Sequence, residues 1–316
     1  MGLKEYFQEI DGEVATVLSS DFEIEIIETK FVPNFDDSNI TFDNLDSGKK
    51  KCKLLESCVL YVDMRDSAKI SAGKQPKTLS KIYSSFVRSM IASGRYYGGH
   101  IRNIIGDRVM VVFDSENCFK KAVDTAILMN SVSQYILNKR IKAIDFKCGI
   151  GIDFGKMLIT KSGAIRQGAE KEFYRSLVWL GRPANIASRL TDIAYKTESY
   201  TVPGVKQANK YSHLKDLLWL DKTYEQFIGD LESTYSRNLR HKDEYFCTFF
   251  KTTLGPYSKS NSPILMTKDV YLGLQRSHPD EESIKNKWWG KKDVTVKDFS
   301  GEIYGGNVIF TAVKEI

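Results

Sequence analysis

Two periodicities of apolar residues divide this chain. Residues 1 to about 20 place apolar side chains at helical spacing and predict a short amphipathic helix. A polar stretch rich in Asp and Asn, 36–47, predicts a loop. Cys58-Val59-Leu60-Tyr61-Val62 is a continuous apolar run of strand length, the pattern of a strand buried on both faces, and it breaks off at Asp63-Met64-Arg65-Asp66. Over 76–93, Leu79, Ile82, Phe86, Val87 and Met90 fall on one helix face, and Gly94 closes the pattern. Gly98-Gly99 opens a strand at 100–105, and Gly106-Asp107 turns it into a second at 108–113, a predicted β-hairpin. A helix over about 117–137 carries Phe119, Ala122, Val123, Ala126 and Ile127 on its apolar side. Strands at 146–153 and 177–180 and a helix at 183–194 follow.

This β-α-β-β-α-β order predicts an α+β, ferredoxin-like fold, with an antiparallel-containing central sheet and helices on one face. Beyond Thr201 the pattern predicts mostly helix over 202–237, a strand at 245–250, a Gly/Pro/Ser loop at 254–262 and a returning strand at 307–313.

Bulk composition narrows the chemistry. With 316 residues, 42% hydrophobic and 27% charged, the chain is ordinary globular material. A net charge of +6 suits an acidic ligand such as a nucleotide. The basic residues are scattered, and the groups Lys49-Lys50-Lys51 with Lys53, and Lys291-Lys292, read as solvated surface rather than a nucleic-acid groove. Five cysteines without a C-x-x-C pair exclude a disulfide framework and a zinc site. The first residues lack the apolar core of a signal peptide, and no apolar run approaches the roughly 20 residues that span a membrane. The expected compartment is the cytoplasm, without nucleic acid or membrane as a partner.

Asp63 ends a buried strand and Asp107 sits at a hairpin turn. In a ferredoxin-like sheet these positions meet at one edge, where two carboxylates would bind divalent metal. Taken singly, each Asp also reads as a turn residue.

Three segments carry a resemblance. Leu60-Tyr61-Val62-Asp63-Met64-Arg65-Asp66-Ser67 resembles the first metal-binding segment of class III adenylate and guanylate cyclases, and Asn103-Ile104-Ile105-Gly106-Asp107 resembles their second. Gly181-Arg182-Pro183-Ala184-Asn185-Ile186-Ala187-Ser188-Arg189 resembles their third, with Asn and Arg at i and i+4 on one helix face. The resemblance covers about 56–200. It divides the chain into an N-terminal extension, 1–53, and a cyclase domain, 54–316, with a C-terminal extension from 201.

The resemblance implies a phosphorus–oxygen lyase with two divalent ions, Mg²⁺ or Mn²⁺, per site. Asp63, Met64 and Asp107 would hold the metal, Met64 and Arg65 would lie at the substrate, Asn185 would hold the ribose, and Arg189 would stabilise the pentavalent α-phosphate. It also implies a homodimer with shared sites, one copy giving Asp63 and Asp107 and the other Asn103, Val178, Asn185 and Arg189.

Two departures matter. Purine cyclases read the base with Lys or Glu four residues before the second metal Asp, and with Asp, Thr or Cys seven residues before the ribose Asn. Asn103 and Val178 stand there. An amide offers a donor and an acceptor to a pyrimidine edge, and the departure resembles the bacterial anti-phage (Pycsar) pyrimidine cyclases, which feed a cyclic-nucleotide-binding effector. Arg102 or Arg182 would donate to a remaining base oxygen. Secondly, Tyr304-Gly305-Gly306 has Tyr where the family places a triphosphate-binding Lys, a role open to Lys291, Lys292, Lys297 or backbone N–H groups after Asp63. UTP is expected as substrate, with CTP the alternative, then a purine triphosphate. The rivals of other classes are a catalytically silent nucleotide sensor and a palm-type nucleotidyltransferase.

Overall fold

In the computed structural model, which describes residues 2–142, 144–161, 164–165, 177–235 and 237–316, helix α1 (Leu3–Leu18) leads into strands β1 (Glu23–Thr29) and β2 (Lys49–Met64). Helices α2 (Ser67–Gly73) and α3 (Pro76–Tyr96) precede the hairpin β3 (His100–Ile105) and β4 (Arg108–Val112). Helix α4 (Cys118–Ser131), prolonged by a π-helical turn (Val132–Leu137), is followed by β5 (Cys148–Lys161), β6 (Leu177–Leu180) and α5 (Arg182–Ile193). Residues 197–261 form β7 (Thr197–Asn209), β8 (Leu218–Thr223), α6 (Tyr224–Gly229) and β9 (Phe246–Ser260). The chain then adds β10 (Ile264–Thr267), α7 (Lys268–Ser277), β11 (Gly290–Lys292) and β12 (Ile303–Gly306).

The large sheet runs β11-β12-β10-β5-β2-β4-β3. β2 is central, antiparallel to both β4 and β5, while β10 pairs parallel with β5 and β1 parallel with the start of β2. The β2-α3-β3-β4-α4-β5 order is the one expected. Position 53/54, where an N-terminal extension was expected to end, lies inside β2. Two compact units are present, residues 1–196 with 262–316, and residues 197–261.

Alternation along β2 explains its unbroken apolar run. Cys58, Leu60, Val62 and Met64 pack with Ile82, Phe86 and Met90 of α3, Ala122 and Ala126 of α4, and Val270 of α7. Val59 and Tyr61 face the other way, with Met110, Trp179, and Ala184 and Ala187 of α5. Both sheet faces are therefore covered, which corrects the expectation of helices on one face: α5 lies opposite α3 and α4.

What admits α5 is a pair of glycines in β5. Gly149 and Gly151 face it, and a Cβ on Gly151 would stand 2.2 Å from the Ala187 carbonyl oxygen. A Cβ on Gly149 would lie 2.6 Å from the Ala194 carbonyl and 2.7 Å from that of Thr191. Glycine here permits close backbone approach, and the helix settles where side chains are missing.

The compact unit of residues 197–261 departs from the sequence pattern. The helix expected over 202–237 is instead β7 and β8 with the six-residue α6, in an antiparallel sheet ordered β8-β7-β9. Thr201, Val202 and Val205 favour a strand, and the β9 partners of β7 lie far along the chain, from Phe246 opposite Asn209 to Ser260 opposite Thr197, out of reach of any local window. Pro203 is tolerated because β8 pairing ends at Gly204. The loop expected at 254–262 is largely strand, with a register shift between Leu254 and Tyr257 around Gly255-Pro256. The strand expected at 307–313 is displaced: β12 returns at 303–306, and a 3-10 turn covers Thr311–Glu315.

The basic cluster before β2 is engaged with acids. Lys49 pairs with Glu23, Lys51 with Glu25, Lys50 with Asp43 at 2.7 Å and Lys53 with Asp37 at 2.5 Å. Among the described residues no helix is long and apolar enough to cross a membrane.

Overpacking at the glycine contact gives a test. Gly151→Ala should lower stability by about 2 kcal/mol in urea unfolding, whereas Gly12→Ala, on exposed α1 with nothing within 4 Å of the new Cβ, should leave stability unchanged or slightly raised.

Candidate active site

Asp63 stands one residue before the end of β2, its backbone between Arg108 of β4 and Gly149 of β5. Asp107 is the second residue of the two-residue loop joining β3 to β4, so the hairpin returns it beside Asp63's cross-strand partner. Gly106 opens that loop with φ 60°, a conformation glycine adopts without strain.

The strand register thus places the two carboxyl groups side by side at one end of the sheet, where the charge of one acts on the other. Burial, and then the charge of Asp63, raise the Asp107 carboxyl above the ordinary carboxylate range, against a hydrogen bond from Ser67. Asp107 Oδ2 is buried without a hydrogen-bond partner. Two hard carboxylates side by side, one with an orphaned oxygen, fit a divalent cation. Among the described residues no cluster of three or more His, Cys, Asp or Glu side chains exists, so such a cation would complete its shell with water or substrate oxygens.

Guanidinium groups surround Asp63. Arg108 donates to Asp63 Oδ2 from Nη2 at 2.6 Å and from Nε at 3.3 Å, and Arg65 from Nη2 at 3.4 Å. Arg108 also donates to Ser188 Oγ at 2.8 Å and to Asp192 Oδ1 at 2.6 Å, both on α5. Sequence reading passed over Arg108, Ser188 and Asp192. The available signal was a pair of polar residues four apart on one helix, which means something only once α5 is known to cross the end of β2.

The remaining expected residues divide. Ser188 and Asp192 form one stripe of α5, and Asn185 and Arg189 form another beside it, rotated by about 60°. The second stripe does not meet the carboxylates of its own chain: Arg189 pairs with Asp298 at 2.9 Å and donates to the Lys297 carbonyl, and Asn185 is exposed. Alternation turns the Met64 side chain into the core under α3 and α4, which leaves its backbone as the part of this residue at the end of β2. The Arg65 N–H is likewise committed, donating to the Lys147 carbonyl at 2.8 Å, so it is not free for a triphosphate.

Asn103 is half-buried opposite Met110, whose side chain belongs to the α5-side cluster. Val178 lies opposite Thr160, next to Trp179 of that same cluster, so it turns to the other face. Alternation therefore places Asn103 on the α5 side of its strand and Val178 on the opposite side of its own. Arg102 donates to Asn34 Oδ1 at 2.9 Å. Arg182 donates to Asp269 at 2.8 Å and to the Phe154 carbonyl at 3.0 Å. Both are occupied within the chain. Lys291 pairs with Glu302, while Lys292 and Lys297 form no ion pair among the described residues.

Similarity to known proteins bears on this geometry. No family model matches the chain. It is 32% identical over 199 residues to a uridylate cyclase of Burkholderia cepacia, covering 61% of this chain and 79% of that protein. A uridylate cyclase of Gulbenkiania mobilis is 27% identical over 230 residues, 67% of this chain and 84% of the relative. The chain belongs to the class III nucleotidyl cyclases, in the branch of the bacterial pyrimidine cyclases. It is, by that membership, a phosphorus–oxygen lyase. Within the same branch, a cytidylate cyclase of Staphylococcus aureus is 24% identical over 280 residues, 81% of this chain and 64% of that protein.

Behind α5 of this cyclase lies a second buried carboxyl, Asp153, held by Thr267 at 2.6 Å and facing Arg182 Nε at 3.6 Å. Burial pushes it up to about 6 from an ordinary 3.8. The native state therefore holds a proton that the unfolded chain has already released. Stability gains as pH falls from about 6 toward 4 and is lost as pH rises through 6. Relative to Asp153→Asn, the parent should gain about 1 kcal/mol of unfolding free energy between pH 7 and pH 5, measured by urea denaturation at each pH. A constant difference would remove Asp153 as the titrating group.

Proposed function

We propose that this cyclase converts UTP to 3′,5′-cyclic UMP and pyrophosphate in a homodimer whose two sites each draw on both copies. The observation that carries the reading is the meeting of Asp63 and Asp107 at one sheet end while the Asn185–Arg189 stripe of α5 engages other partners, Arg189 being paired with Asp298. A complete site then needs the stripe of a second copy, and a two-fold dimer supplies it twice.

In this reading Asp63 and Asp107 would hold two divalent cations, which when bound would lower the pKa of the ribose 3′-hydroxyl and neutralise the phosphate oxygens. Asn185 of the other copy orients the ribose, so that the 3′-oxygen and the leaving pyrophosphate stand in line on the α-phosphate. Arg189 of that copy presents its planar fork to the equatorial oxygens as charge spreads over them. Asn103 meets N3–H and O4 of uracil with one acceptor and one donor. For the triphosphate, Lys292 and Lys297 are the candidates of the three that form no ion pair among the described residues, Lys291 being held by Glu302.

Uracil is supported by the two uridylate cyclases among the relatives. Cytosine is the second reading, favoured by the cytidylate cyclase, and requires Asn103 to turn its amide over. Second-messenger synthesis for a cyclic-nucleotide-binding effector in anti-phage defence follows from the branch resemblance.

Incubation with ATP, GTP, CTP and UTP, with the products identified by mass, should give one cyclic pyrimidine nucleotide in large excess. A site that hydrogen-bonds its base rejects mismatched analogues by about 10⁴-fold. Asn103→Ala should erode that preference more than it slows turnover. Preference for ATP or GTP would overturn the pyrimidine reading. Shared sites predict complementation: Asp107→Ala and Arg189→Ala, each inactive alone, should recover about a quarter of parental activity once subunits exchange, because half the copies pair as heterodimers with one intact site. No recovery after demonstrated exchange would place each site within one chain.

A further inference from the structure

Asp63 is only 13% exposed at its side chain and shares its sheet end with a second carboxyl. With no metal bound, the buried Asp63 carboxylate still needs a partner of opposite charge. Arg108 supplies it, with two N–H groups on the single oxygen Oδ2. A cation arriving at that oxygen meets Arg108 as a competitor of like charge. The same guanidinium already has a second seat, since Nη1 reaches Ser188 and Nη2 reaches Asp192.

We propose that Arg108 is a built-in placeholder for the divalent cation: it neutralises Asp63 before metal arrives and withdraws onto Ser188 and Asp192 when a cation takes Asp63. This rests on the reading of Asp63 and Asp107 as the cation site. A rigid five-donor fork serves three acceptors at once, which a lysine ammonium on a flexible stem does not. Arg65 is the lesser occupant, at 3.4 Å from Asp63, and its other contact is the Asp192 backbone carbonyl at 3.2 Å rather than an acid side chain. Ser188 and Asp192 sit on α5, so metal loading changes what tethers the helix that carries Asn185 and Arg189. Arg108 acts through Asp63 and is a positioning residue.

The test is Mn²⁺ binding to the nucleotide-free protein by titration calorimetry, in the parent, Arg108→Gln, Asp192→Asn and the double variant. Arg108→Gln should bind Mn²⁺ about tenfold more tightly, and Asp192→Asn about threefold more weakly because Arg108 loses its seat. In the double variant the Asp192 substitution should have no effect, since the group it seats is gone. Through-space charge alone predicts the same weakening in both backgrounds, and that result overturns the proposal, as does an Arg108→Gln affinity no tighter than the parent's. Asp192 is exposed on α5, so its variant reads the proposal even if Arg108→Gln does not fold: undiminished affinity in Asp192→Asn overturns it. Asp63→Ala separates the two levels. Parental Mn²⁺ binding that survives this substitution overturns the cation-site reading together with the placeholder. Binding that Asp63→Ala abolishes, but that the Arg108 and Asp192 variants leave unmoved, overturns the placeholder alone.

Discussion

Two carboxyl groups forced together at the end of a buried strand set the terms for the rest of this molecule. Asp63 cannot move away, because its backbone is paired on both sides. Asp107 cannot either, because a two-residue hairpin loop returns it to the same place. Their repulsion and partial burial hold the Asp107 carboxyl in the raised range. Every cationic group around them, Arg108 and Arg65 among the chain's own and a divalent ion in the proposed reaction, answers that one electrostatic demand.

The demand is met across the interior of the chain rather than along it. β5 supplies two glycines, α5 settles onto them, and only then do Ser188 and Asp192 come within reach of Arg108. A helix seated this way offers its neighbouring stripe to something else. Asn185 and Arg189 are carried by the same rigid element as the residues that touch Arg108, yet they turn from the carboxylates of their own chain. The dimeric reading of the site follows from this division of one helix into two polar stripes.

The base reader shows a further effect of alternation. Asn103 and Val178 are both strand residues at family-defined spacings, but register sends them to different faces. A one-residue change of register reverses a side chain's face, and no count of residues along the chain contains that information.

Local pattern was enough for most of the catalytic unit. The apolar run ending at Asp63, the Gly-Asp hairpin, the two long helices and the Asn-to-Arg spacing are short-range features, and each is stabilised by contacts its own segment largely determines. So the β-α-β-β-α-β order and the two carboxylate positions were legible. The residues beyond Thr201 were not. β7 and β9 support each other across a long stretch of chain, with Thr197 paired to Ser260, and propensity within either window is weak beside that pairing. Which sheet face α5 covers, the commitment of the Arg65 N–H to Lys147, the burial of Met64 and the contact of Arg108 with Asp63 were decided by tertiary structure alone. The physical reason is common to all four. Sequence spacing sets which side chains an element offers to each face, whereas the partner on that face is chosen by packing between elements far apart in the chain.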